Sequence, residues 1–180
     1  MPELNLESFK EICHTHGHFT RLVRCAIPLE YAPYTPHFEE EYLQLAQSEI
    51  ARPWEALSHG KDQDAMLFKA LSDIYEKLTR IEQALEIKQR HFIPLESKAL
   101  LEVLGHGVLG VRASLFEPNQ EYYLRFSLPN APYRVLALIA RAFDAVMLEV
   151  VRMHASHIKE MDSYIAAQEL ASLKGLKTCN

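Results

Sequence analysis

The sequence predicts an α+β protein: a helical region and a long coiled-coil helix, followed by a small antiparallel β-barrel with a C-terminal helix. Two observations lead to this fold class. Beyond Arg90, short segments rich in β-branched, aromatic and leucine residues are separated by turn residues at the spacing of about 8 to 12 that is typical of barrels. Before it, six apolar residues recur at alternating steps of four and three: Leu67, Leu71, Ile74, Leu78, Ile81 and Leu85.

The first part of the chain reads as helical with interruptions. Leu6, Phe9 and Ile12 have the spacing of a short amphipathic helix. Thr35-Pro36 is a helix start signal, and an apolar stripe that begins at Phe38 follows it. Pro28 and Pro33 lie between these two segments, and Gly60 with the polar residues 61–64 ends the second. We therefore predict a helical N-terminal region over residues 1–62.

The apolar row in the middle of the chain, which we call the heptad face, predicts a coiled-coil oligomerisation helix over residues 63–89. Heptad counting places its leucines at position a, except Leu67, which shares position d with the two isoleucines. Leucine at a with isoleucine at d shifts the preference from dimers to trimers or tetramers. We expect a homo-oligomer through this face. A tetramer is favoured, and a trimer stays open.

The remaining chain predicts the barrel and its helix over residues 90–175, with a tail over 176–180. From Phe92 to Val111 apolar residues come in short segments broken by a proline and three glycines. Strand-like segments then run over Tyr122–Leu128, Tyr133–Phe143 and Val146–Met153. Apolar residues at helical spacing then predict a last helix over about Ser156–Leu173.

Composition excludes several classes of protein. The 180 residues carry 19 Lys and Arg against 24 Asp and Glu, a net charge of −5, without a basic run that would indicate nucleic-acid binding. No stretch approaches the roughly 20 apolar residues of a membrane span, so we expect no membrane insertion. Three cysteines at irregular spacing indicate reduced thiols. We expect a cytoplasmic protein.

Candidate chemical groups have simpler interpretations. The stretch Cys13–His18, with Cys25 downstream, lacks the paired spacing of zinc sites and is interpreted as surface histidines, so no metal is expected. Glu39–Glu41 is interpreted as an acidic first turn of a helix, and His154 and His157 as exposed side chains. No sequence signature of a nucleophile with its base is present. We expect neither an enzyme nor a cofactor.

Several stretches in the second half of the chain carry a family resemblance. They are Leu101–Val111, Phe116–Glu121, Leu124–Pro129, Ile139–Arg141 and Asp162–Ile165. In this order they resemble the PilZ domain, a small barrel associated with bacterial cyclic di-GMP signalling. Some members of that family carry a preceding heptad helix and assemble as tetramers. The resemblance implies the barrel fold and a pathway that controls motility, pili or biofilm.

The resemblance is weakest at the positions that bind the nucleotide in that family. Its members have an R-x-x-x-R segment before the first strand, whereas here Arg90 stands alone in that place. In the D/N-x-S-x-x-G motif, Glu102 replaces the acid or amide, Leu104 replaces the serine, and Gly107 alone is kept. The chain therefore resembles a degenerate PilZ domain, and we do not expect it to bind cyclic di-GMP.

The sequence thus favours a non-enzymatic oligomeric adaptor that acts through an unidentified protein partner. One alternative is a receptor for cyclic di-GMP or another anionic nucleotide, with a non-standard basic site formed by Lys88, Arg90, Arg112 and Arg141. Another is a structural oligomerisation scaffold whose N-terminal part recognises the partner.

Overall fold

The structure, a computed structural model, describes residues 5–46, 69–75, 77–78, 81, 85 and 92–177. Within these ranges the strands are β1 (Leu22–Pro33), β2 (Ser97–Gly105), β3 (Val108–Val111), β4 (Glu121–Leu128), β5 (Ala131–Asp144) and β6 (Met147–Met153). The helices are α1 (Leu6–Thr15), α2 (Glu39–Ala46, after a 3₁₀ turn over Pro36–Phe38) and α4 (Ala155–Lys177). We call the helical residues 69–75, 77–78, 81 and 85 α3.

The strands close into an antiparallel barrel in the order β1-β2-β3-β6-β5-β4. Its interior is filled by alternating side chains that are almost fully buried, among them Ile27, Leu29, Leu101, Leu104, Leu109, Leu124, Leu136 and Leu138. Helix α4 adds Met161, Tyr164 and Ile165 to this core, and α1 packs Phe9 and Cys13 against a smaller cluster. The predicted fold class is confirmed.

The sequence predicted a helical N-terminal region over residues 1–62, but part of this region forms a strand. Residues 22–33 form β1, which pairs with both β2 and β4. Pro28 and Pro33 were interpreted as interruptions, but they lie at exposed positions of the strand. The pairing of β1 with β2 also shifts in register between Arg24 and Ile27, and this irregularity obscures the alternation of buried and exposed side chains along the strand. The barrel therefore takes its first strand from the N-terminal part, and residues 34–96 are inserted between β1 and β2.

Most other predicted elements are confirmed. Helices α1 and α2 start where the apolar spacing and the Thr35-Pro36 signal placed them, and β4 to β6 match the three strand-like segments. Helix α4 continues to Lys177, beyond the predicted end at residue 173. None of the helices in the described ranges is both long enough and apolar enough to span a membrane.

Candidate functional site

The heptad face lies on α3, and its described side chains point into solvent. Leu71, Ile74, Leu78, Ile81 and Leu85 are each between 53% and 59% exposed, and Leu67 lies outside the described residues. Full burial of a leucine or isoleucine side chain contributes roughly 1.5–3 kcal/mol. A continuous row of such residues on one helix face is typical of a contact with another helix.

The inserted segment is fixed to the barrel by a buried ionic cluster around Glu41 of α2. One carboxylate oxygen of Glu41 accepts hydrogen bonds from Arg125 Nη1 at 2.7 Å and from the Tyr123 hydroxyl at 2.9 Å. The other accepts from the backbone N–H of Ile93 at 2.6 Å. The side chains of Arg125 and Glu41 are only 6% and 9% exposed. We call this arrangement the Glu41 cluster.

Arg125 has further partners on the outer surface of the barrel. Its Nη2 donates to Glu30 at 2.9 Å, and Lys98 lies 3.2 Å from the same carboxylate. Burial alone would raise the pKa of Glu30, but hydrogen bonds from Arg125 and Lys98 lower it overall. The guanidinium also stacks over the ring of Phe92, 4.9 Å from its centroid. The arginine thus joins β1, β4 and the chain that returns to the barrel before β2.

A second set of contacts holds the other side of α2. Glu39 pairs with Arg152 of β6 and accepts a hydrogen bond from the Tyr34 hydroxyl at 3.0 Å. The hydrogen bond from Arg152 holds the pKa of Glu39 below its ordinary value. Tyr42 stacks on His154 with ring centroids 4.3 Å apart. An eight-residue helix is therefore fixed by arginines from two different strands.

Both ends of the inserted segment meet at one apolar cluster on the outside of β4 and β5. Phe38 and Leu45 come from the outgoing chain, Leu95 comes from the returning chain, and Tyr123 and Ile139 come from the barrel. Phe38 and Tyr123 stack with centroids 4.9 Å apart. Residues from the two ends of the inserted segment thus pack at the same place on the barrel.

The structure separates the positions that the family motif would bring to a ligand. Glu102 forms an ion pair of 2.8 Å with Arg112, Leu104 is fully buried in the barrel core, and Gly107 has φ +81° in the turn between β2 and β3. Arg90 and Lys88 lie outside the described residues. The side chain of Leu104 points into the barrel, so it offers no contact to a ligand at the surface on which Glu102 lies.

A cavity of about 380 Å³ lies between α1 and the first two strands. Asn5, Arg24, Cys25, Glu102 and Arg112 are among the residues that line it. Burial, with a smaller contribution from Glu102, raises the pKa of Cys25 to about 12, so its thiol is protonated near neutral pH and is a poor nucleophile.

The fourth member of the predicted basic site lies elsewhere. Arg141 on β5 lies 3.6 Å from Glu121 and 3.7 Å from Glu149. Arg112 has a different acidic partner, Glu102. Arg112 and Arg141, the described members of the predicted basic site, therefore belong to two separate groups of ion pairs.

The histidines after α1 pack on an aromatic ring. His16 and His18 contact Phe143 with centroid distances of 5.3 and 4.4 Å, and His18 lies 3.6 Å from Glu149. Cys13 is buried under α1. Across the ranges that the structure describes, no three His, Cys, Asp or Glu side chains are close enough to hold a metal ion.

Comparison with solved structures identifies the fold. A pathogenic protein from Xanthomonas campestris, whose crystal structure reveals a tetrameric PilZ domain self-assembled via a helical bundle, matches 92% of this chain and 97% of its own. The TM-score is 0.51 and the sequence identity is 10%. The chain has a PilZ-type fold. No protein-family model and no curated protein sequence matches it significantly.

The interpretation of His157 as exposed was wrong for this PilZ-type barrel. His157 is fully buried where α4 begins, and its Nδ1 lies 3.4 Å from the carbonyl oxygen of Ala137, so the N–H donates to that oxygen. Burial lowers its pKa to about 4, and the nearby Arg134 and His154 act in the same direction. The histidine is therefore neutral at pH 7.

This burial predicts a specific loss of stability in acid. Between pH 6.5 and 4 the unfolded chain binds a proton at His157 more readily than the folded chain, so stability is complete above pH 6.5 and falls as pH decreases toward 4. Between pH 7 and pH 5, the free energy of unfolding should fall by about 2 kcal/mol more in the parent than in a His157→Leu variant, as measured by urea denaturation. An equal loss in the parent and in His157→Leu would contradict the prediction.

Sequence reasoning missed the charged residues that fix α2. Glu39–Glu41 was interpreted as a favourable first turn, which accounts for the acidic residues locally but not for the burial of Glu41. One signal was present: Arg125 is a single charge among Tyr123, Leu124 and Phe126, all of them buried. A charge inside an apolar strand needs an acidic partner from elsewhere in the fold.

Proposed function

We propose that this chain is a non-enzymatic cytoplasmic adaptor that assembles as a homotetramer through α3 and displays several PilZ-type barrels to a protein partner. The observation that carries the proposal is the heptad face, whose five described side chains are all more than half exposed. The tetrameric assembly of the Xanthomonas campestris protein through a helical bundle supports it, because that protein has the same fold.

The mechanism is multivalent display. Once one barrel of the tetramer has bound a repeated partner, the others bind at a high effective concentration, so that weak contacts add up to useful avidity. We propose that this display acts in a cyclic di-GMP-related pathway of motility, pili or biofilm, and the PilZ-type fold supports this proposal.

We do not expect cyclic di-GMP itself to bind. Arg112 already pairs with the carboxylate of Glu102, so its guanidinium is not free to bind a phosphate. Leu104 offers no hydroxyl and is buried. The adaptor function therefore depends on protein contacts rather than on the nucleotide.

A second candidate function is supported by the cavity between α1 and the barrel. Arg24 and Arg112 line this space of about 380 Å³, which is within the usual range for small-molecule sites. The PilZ-type barrel would then be a receptor for an anionic nucleotide, with guanidinium groups as phosphate ligands.

One sedimentation-equilibrium experiment with added cyclic di-GMP separates these candidates. We expect a mass near four times 20.7 kDa, with the nucleotide absorbance unchanged along the cell. A mass of 20.7 kDa would contradict the assembly. Nucleotide that sediments with the protein, and no longer does so with Arg112→Met, would favour the receptor instead.

A further inference from the structure

The Glu41 cluster joins the two ends of the inserted segment, and this segment carries the heptad face through which the chain is proposed to assemble. Among the described residues of the inserted segment, α2 packs on the barrel near its N-terminal end, and Phe92 and Ile93 pack there near its C-terminal end. Glu41 on the outgoing side binds the backbone N–H of Ile93 on the returning side. Six residues separate Leu85, the last residue of the heptad face, from Phe92. Seven chain steps reach at most about 25 Å.

From this geometry we infer that Glu41 is a positioning residue: it ties both ends of the inserted segment to one place on the barrel and so restricts the orientations that each barrel can take relative to the assembled α3 helices. The inference deepens the proposed function and rests on it. Multivalent display depends on this orientation, because avidity is lost when the sites cannot engage together.

The chemistry of the cluster is specific to a carboxylate. Glu41 accepts hydrogen bonds from three donors, Arg125 and Tyr123 at one oxygen and Ile93 at the other. A glutamine side chain has one oxygen, which accepts hydrogen bonds, and one NH₂ group, which donates them. Its NH₂ group would therefore face at least one of the three donors and could not accept a hydrogen bond from it. Without the full set of hydrogen bonds, the returning chain is held by its apolar contacts, among them those of Phe92, Ile93 and Leu95, and the two ends of the inserted segment lose the polar link between them.

The neighbouring Glu40 provides a matched control. It lies on the same helix turn, and its carboxylate accepts a hydrogen bond of 3.2 Å from Gln44 of α2 itself. Glu40→Gln makes the same chemical change as Glu41→Gln at an exposed position of the same helix.

The test measures distances between barrels by double electron–electron resonance. A spin label is attached to Ser114→Cys, an exposed position before β4, in a Cys179→Ser background; Cys13 is buried, and Cys25 is half-buried with a protonated thiol. We expect a narrow distribution for the parent and for Glu40→Gln. Glu41→Gln should give a distribution that is broader at half height than that of Glu40→Gln, because the returning chain is then held to the barrel by fewer contacts.

The outcomes distinguish the inference from the function on which it rests. Sedimentation of the same samples should give an unchanged mass, because the variants leave the heptad face intact. A full-size Glu41→Gln assembly with the width of Glu40→Gln overturns the inference alone. A parent of single-chain mass overturns the proposed tetramer and the inference together.

Ile93→Pro keeps the inference falsifiable if Glu41→Gln does not fold. Proline has no backbone N–H, so this variant removes the bond between Glu41 and the returning chain without changing α2. We expect it to broaden the distribution as well, and an unchanged width in a folded Ile93→Pro assembly overturns the inference.

Discussion

A chain that carries Ile74→Asp and Ile81→Asp should sediment as a monomer of 20.7 kDa. In the proposed bundle both positions face the neighbouring helices, and an unpaired charge in such an interior costs several kcal/mol. In the single chain the same side chains are 55% and 57% exposed, so the aspartates meet water and the barrel keeps its contacts. Sedimentation equilibrium measures the mass, and circular dichroism should show an intact barrel.

The matched control adds two aspartates to the same helix at positions outside the heptad face. Ser72→Asp with Thr79→Asp occupies heptad position b twice and brings the same charge. We expect this variant to keep the mass of the parent. If both double variants dissociate, charge on α3 rather than burial of the heptad face is responsible; if neither does, the contact lies elsewhere.

Periodicity made part of this molecule predictable. The strands from Tyr122 onward are short apolar segments between clear turns, and the pattern by itself defines them. The heptad face follows the same logic, since the spacing from Leu67 to Leu85 reports an apolar stripe whether or not a partner helix is present. Strand β1 was missed because Pro28, Pro33 and the register shift after Arg24 mask its alternation.

The Glu41 cluster could not be predicted in this way. Arg125 and Glu41 are 84 residues apart, and no local spacing connects them. A sequence pattern shows which residues share a face of one element, whereas a buried ion pair depends on which elements the fold brings together. His157 is a similar case: its burial follows from the contact between α4 and β5, not from the polar residues beside it.

The largest loss of stability in the barrel is expected for Arg125→Met. This change leaves Glu41, whose side chain is 9% exposed, without its cation, while Glu30 keeps only Lys98. Removing one partner of a buried ion pair typically costs about 3–5 kcal/mol, because the remaining charge stays out of water. Urea denaturation in the Ile74→Asp, Ile81→Asp background measures the free energy of unfolding of a single chain, free of the concentration dependence of an oligomer.

Arg112→Met is the matched control, because Arg112 and Glu102 also form a close pair but their side chains are 59% and 19% exposed. A pair at the surface contributes about 1 kcal/mol or less. Replacing both partners of the buried pair, Arg125→Met with Glu41→Leu, should recover part of the loss, since no unpaired charge remains at position 41. Equal losses for Arg125→Met and Arg112→Met would mean that water reaches Glu41, and the cluster could then not fix the returning chain.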